Sequence, residues 1–135
     1  MRIKINLLSE NGEVVLPVHY NEYIQAAIYE NLEEGLARNI HDTGFIDPLS
    51  SRKFKFFTFS KLLSEHRQVK DGTITFKTPL SLIISSPNQQ FLHSLASGIL
   101  KKSFIRIGQN RLSIQSMEVD PLPPYREKVL VKTLS

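Results

Sequence analysis

The chain contains no cysteine. That absence excludes disulfides, zinc ribbons and thiol nucleophiles. Histidine is scarce and scattered: His19, His41, His66 and His93 stand far apart, none with a second ligand at helix or turn spacing. A metal site is therefore not expected, and no cofactor is implied. Long apolar runs are missing too, since none approaches the roughly 20 residues that span a bilayer. The opening residues alternate as Arg2, Ile3, Lys4, Ile5, Asn6 and Leu7, unlike the unbroken apolar block of a signal peptide. A phosphate loop, a nucleophile elbow and a dinucleotide fingerprint are likewise absent. The expectation is a soluble cytoplasmic protein with no membrane partner.

What is present fits one ordinary domain, or one domain and the start of another, in 135 residues. Apolar residues make up 41% of the chain, enough for a sizeable core. The net charge of +4 and pI near 9.4 favour polyanionic partners. Each phosphate neutralised by lysine or arginine releases condensed counterions. Many unrelated soluble proteins are equally basic, so charge alone does not identify a nucleic-acid binder.

Ile3, Ile5 and Leu7 have the period-two spacing of a half-buried strand. Asn21 is placed to cap a helix in which Ile24, Ile28 and Leu32 recur every four residues beside Ala27. Gly35 weakens that helix, a short segment over Leu36, Ala37 and Ile40 follows, and His41-Asp42-Thr43-Gly44 ends it in a turn. Lys53 to Phe59 alternates as a second strand. Asp71-Gly72 marks a hairpin between a weak run over Arg67–Lys70 and Thr73–Phe76, which continues towards Leu82–Ser85. Ser86-Pro87 opens a second helix with proline at its first position. Its stripe comprises Phe91, Leu92, Leu95, Ile99 and Leu100, and Lys101 and Lys102 suit its negative end. Phe104 to Ile107, a Gly108-Gln109-Asn110 turn and Leu112 to Val119 complete the sheet.

The order strand, helix, strand, strand, helix, strand is that of an α+β, ferredoxin-like (βαββαβ) antiparallel sheet with helices on one face. This domain would cover residues 1–120. Pro121, Pro123 and Pro124 then read as a linker, and Lys128 to Lys132 as one further strand within 121–135.

Several motifs occur in a particular order: Leu16-Pro17 and Tyr20-Asn21, Tyr29 in the helix, and His41-Asp42 with Gly44-Phe45. Lys55 then lies within the run ending Phe57-Thr58-Phe59-Ser60, and Ile84-Ser85-Ser86-Pro87 follows. In that order they resemble the N-terminal part of the CRISPR repeat-RNA processing endoribonucleases of the repeat-associated RNA-binding superfamily. The resemblance covers nearly the whole chain. It implies two ferredoxin-like domains in tandem, of which this chain would hold the first and the opening strand of the second. The glycine-rich RNA-contacting loop of the second domain has no counterpart here. The implied partners are CRISPR repeat RNA and other CRISPR interference-complex subunits. A homodimer would form through the surface left by the missing domain.

The resemblance also implies the chemistry. RNA is cut without metal by its own 2′-hydroxyl if a base removes the proton and a cation or donor steadies the phosphorane. Carried over by motif, the catalytic residues are His41, Tyr29 and Lys55. From the residues alone, the default readings are a helix end for His41, a core-edge aromatic for Tyr29 and a solvated strand position for Lys55. Lys53, Lys55, Phe57 and Phe59 form a stacking platform for bases unless the phenylalanines are core, the reading favoured here. Arg52, Lys53, Lys101, Lys102, Arg106 and Arg111 are candidate phosphate contacts. Two rivals stay open: a non-catalytic RNA-binding subunit of the same superfamily, and a ferredoxin-like small-molecule regulatory domain.

Overall fold

A computed structural model describes residues 2–32 and 57–119, and backbone alone at 45–46, 53–54, 120 and 132–134. The first strand, β1 (Arg2–Ser9), buries Ile3, Ile5 and Leu7 and leaves the residues between them half-exposed. This is the alternation that its sequence predicts. It forms the middle of the main sheet, pairing antiparallel with β9 (Leu80–Ser85) on one side and β11 (Asn110–Asp120) on the other. β10 (Phe104–Ile107) flanks β11, and β5 (Thr58–Phe59) and β6 (Leu63–Ser64) both pair with β9. The spatial order β10-β11-β1-β9-β5 therefore contains the ferredoxin-like arrangement, with β10 added at one edge. β12 (Lys132–Leu134) also pairs with β11, opposite Met117 to Val119.

Among the described residues, two helices cover one face. α1 (Asn21–Glu30) buries Ile24, Ala27 and Ile28, and Leu32 just beyond it is buried as well, as the four-residue spacing predicts. The expected cap is corrected: Asn21 is the first helical residue, and Tyr20 takes the cap position without a side-chain hydrogen bond. α2 (Gln89–Lys102) buries Phe91, Leu92, Leu95 and Ile99, whereas Leu100 is largely exposed and leaves the predicted stripe. Asn88, not Pro87, sets the start of α2, its Oδ1 accepting from Phe91 N at 2.9 Å. Asn88 N in turn donates to Ser86 Oγ at 3.0 Å. Ser103 closes the helix in the left-handed conformation, with φ of 68°.

A second, three-stranded sheet was not anticipated as such. It consists of β2 (Glu13–Pro17), β8 (Thr73–Lys77) and β7 (Arg67–Lys70). The β7–β8 hairpin turns at Asp71-Gly72, as expected, with both residues at positive φ. However, β8 does not run on into β9. The two strands join different sheets and are separated at Thr78-Pro79. β2 pairs with β8 and buries Val14 and Leu16. The small sheet is tied to the β10–β11 turn by the Asn110 carboxamide, which acts as a substitute peptide group. Its Nδ2 donates to Val15 O at 2.9 Å and its Oδ1 accepts from Val15 N at 3.3 Å.

The expected continuous strand over Lys53–Phe59 is also corrected. β4 (Lys53–Phe54) pairs with β3 (Phe45–Ile46) in a separate ladder, while β5 joins the main sheet. The expected helical segment after Gly35, the His41-Asp42-Thr43-Gly44 turn and the proline linker lie outside the described residues.

Candidate functional site

Tyr29 lies in the last turn of α1, partly buried against the core. Its ring meets Phe57 edge-on, with centroids 6.0 Å apart and planes at 76°. Phe57 is itself stacked on Phe91 of α2, at 4.9 Å and 12°. Such aromatic contacts stabilise by about 0.5–1.5 kcal/mol beyond area burial. The chain Tyr29, Phe57, Phe91 thus fixes the end of α1 against the residues that lead into β5. Phe57 is buried and Phe59 packs against the core, so the two phenylalanines are not an exposed base platform.

His41, Lys55 and Arg52 lie outside the described residues, and Lys53 is described by its backbone in β4 alone. Of the proposed catalytic set, Tyr29 is the member whose surroundings can be read directly.

Two other motif residues, Tyr20 and Ser60, have structural explanations. Tyr20 is buried; its ring packs edge-on against Phe76 and its hydroxyl accepts a hydrogen bond from Leu62 N at 3.1 Å. Ser60 bonds β9 twice. Its N–H donates to Ile83 O at 2.8 Å, and its Oγ accepts from Ile83 N at 3.0 Å.

Lys101, Lys102, Arg106 and Arg111 are brought to neighbouring elements: the last turn of α2 and the β10–β11 hairpin that follows it. Arg106 and Arg111 stand directly opposite each other across that hairpin, both exposed. Like charges so placed repel. The Arg111 guanidinium lies 3.9 Å from the centre of the Phe104 ring, which partly offsets that repulsion. Lys102 reaches across to the end of α1, where its Nζ donates to Glu30 O at 3.4 Å. Between these elements is a cavity of about 300 Å³ lined by Glu30, Asn31, Lys102, Phe104, Ile105 and Arg106.

Asn31 and Gly98 were not singled out from the sequence. Asn31 caps the end of α1 and is buried, its Nδ2 donating to Ala27 O at 2.7 Å while its Oδ1 has no hydrogen-bond partner. A buried acceptor left so is destabilising by about 1–3 kcal/mol. Gly98 of α2 lies against the backbone of Asn31: a Cβ there would collide with the Asn31 carbonyl oxygen and sit 3.0 Å from its carbonyl carbon. The available signal was a lone glycine inside a helical stripe, which calls for a packing reason. Among the described residues no cluster of side chains suited to a metal occurs, and no helix is long and apolar enough to cross a membrane.

Proteins of known structure share this architecture. The CRISPR-associated endoribonuclease Cas6 1 of Methanocaldococcus jannaschii is 30% identical over 139 aligned positions, spanning 100% of this chain and 50% of that protein. A solved CRISPR-associated protein Cas6 superposes with a TM-score of 0.65 at 28% identity, covering 93% of this chain and 50% of the other. A RAMP protein described as binding different RNA substrates superposes with a TM-score of 0.71 at 23% identity, covering 94% and 51%. That last likeness shows the fold alone. The chain spans about half the length of the curated relative it matches. The family model for the N-terminal part of CRISPR-associated protein Cas6 matches residues 15–118. With the chain-long identity to a curated relative, that match establishes that this protein belongs to the Cas6 family.

Proposed function

We propose that this chain is the first domain of an endoribonuclease that cuts CRISPR repeat RNA into guide RNAs without a metal ion. In this reading residues 1–120 carry the catalytic groups, and 121–135 lead into a second domain. His41 is the general base. It removes the proton from a ribose 2′-hydroxyl, whose oxygen then attacks the adjacent phosphorus. The bond from phosphorus to the 5′-oxygen breaks, and that oxygen takes up a proton from solvent water and leaves as a 5′-hydroxyl. The other product carries a 2′,3′-cyclic phosphate. Tyr29 donates a hydrogen bond to a phosphate oxygen, and Lys55 steadies the negative charge that develops there.

The observation that carries the reading is the packing of Tyr29 on Phe57. Phe57 follows Lys55 by two residues in the chain, so an aromatic contact ties the segment bearing one candidate group to the other. Family membership supplies the reaction class, because the curated relative is named an endoribonuclease. Lys101, Lys102 and Arg106 are assigned to phosphates of the bound RNA.

Binding is the first test. The isolated chain is expected to hold repeat RNA weakly, with affinity falling as salt rises by a log–log slope of roughly −0.7 per phosphate contact in single-stranded RNA. Lys102→Gln and Arg106→Gln should each make that slope shallower by about one contact. Tight binding that ignores salt would contradict the assignment. Repeat-RNA binding with no cutting by the wild type would favour the non-catalytic subunit.

A further inference from the structure

The basic hairpin carries more than charge. Phosphate contacts ask only for cations, yet Arg111 is laid against the Phe104 ring at 3.9 Å. Arg111 remains exposed and Phe104 half-buried, on the strand face opposite buried Ile105, Ile107 and Leu112. Among the described residues neither Arg106 nor Arg111 has a carboxylate partner. A guanidinium plane supported on one side by an aromatic ring presents its other side as a flat, cationic surface. Unpaired bases stack on such planes, and every base has a π-face with which to do so. Next to this surface lies the 300 Å³ cavity whose wall includes Lys102 and Arg106 for a phosphate and Glu30 for a hydroxyl or amino donor. That mixture of cation and acceptor is what a nucleotide, rather than a bare phosphate, would use.

We propose that the Phe104–Arg111 pair is a stacking platform for one unpaired RNA base, with Lys102 and Arg106 holding the phosphate beside it. The proposal rests on the RNA-binding reading above and specifies the form of RNA taken: a single strand passing over the edge strand β10, not a duplex. A duplex keeps its bases stacked on each other and would use the cations alone.

The test compares two probes on the whole chain, a short oligoadenylate and a ribose-phosphate oligomer of equal length without bases. Wild type is expected to prefer the oligoadenylate by roughly tenfold, within the range for one stacked base. Arg111→Lys keeps the charge and loses the plane, so it should erase most of that preference while leaving the salt slope unchanged. Phe104→Leu should do the same by removing the ring beneath. Arg106→Gln should weaken both probes alike. Equal binding of the two probes by wild type, or an unchanged preference in Arg111→Lys, would overturn the platform while leaving RNA binding intact. Failure of both probes to bind would overturn the RNA-binding reading as well. Should Phe104→Leu prove unfolded by circular dichroism, Arg111→Lys at its exposed position decides the matter.

Discussion

Phe91→Ala is expected to lower the unfolding free energy by about 3–5 kcal/mol. Phe91 is fully buried, and its ring stacks on Phe57 at 4.9 Å. Truncation removes the apolar surface that α2 places in the core and leaves a cavity between the helix and β5. The rigid walls of a packed core close such a cavity only in part. The effect extends to the candidate site, because Phe57 would lose its backing and Tyr29 leans on Phe57. Phe91→Leu should recover more than half of the loss. Urea unfolding of the three proteins measures this directly; a loss below about 1 kcal/mol for Phe91→Ala would show that the aromatic stack is not holding α2 in place.

Gly98→Ala should act in the direction opposite to helix propensity. In an exposed helix interior, alanine is better than glycine by about 1 kcal/mol. Here the added methyl group meets the carbonyl group of Asn31, which is backbone and cannot swing aside. Separating the ends of α1 and α2 to relieve that collision should cost about 1–3 kcal/mol net. It would also displace the turn that holds Tyr29, Glu30 and Asn31. The sign is the decisive quantity: a Gly98→Ala protein more stable than wild type in thermal or urea unfolding would contradict the close approach.

Those two residues also show what the sequence revealed and what it hid. The α2 stripe, with Phe91, Leu92, Leu95 and Ile99, was legible because a helix repeats its buried positions every three or four residues. β1 was legible for the same reason at period two. The strand β2 was not, because Val14 and Leu16 alternate over only five residues and end at Pro17. Its partner β8 was read as running into β9, since β-rich sequence on both sides of Pro79 does not say which sheet each strand joins.

Arg106 and Arg111 could be named as basic residues from the sequence, and the Gly108-Gln109-Asn110 turn between them predicted a hairpin. Their directly opposed register, and the contact of Arg111 with Phe104, depend on the pairing geometry. Gly98 and Asn31 meet across two helices separated in sequence, so no local pattern joins them. His41 and Lys55 rest on motif resemblance alone, and Tyr29 gained a defined neighbour in Phe57.

The most direct measurement is cleavage of repeat RNA in EDTA by the protein encoded by the whole reading frame that contains this chain, compared with its His41→Ala variant. Loss of a general base lowers such a rate by about 100- to 10,000-fold. The expected result is metal-independent cutting by the wild type, with a 5′-hydroxyl product, and a loss of that size in the variant with repeat-RNA binding retained. Cutting that requires a divalent ion, or that persists unchanged in His41→Ala, would contradict it.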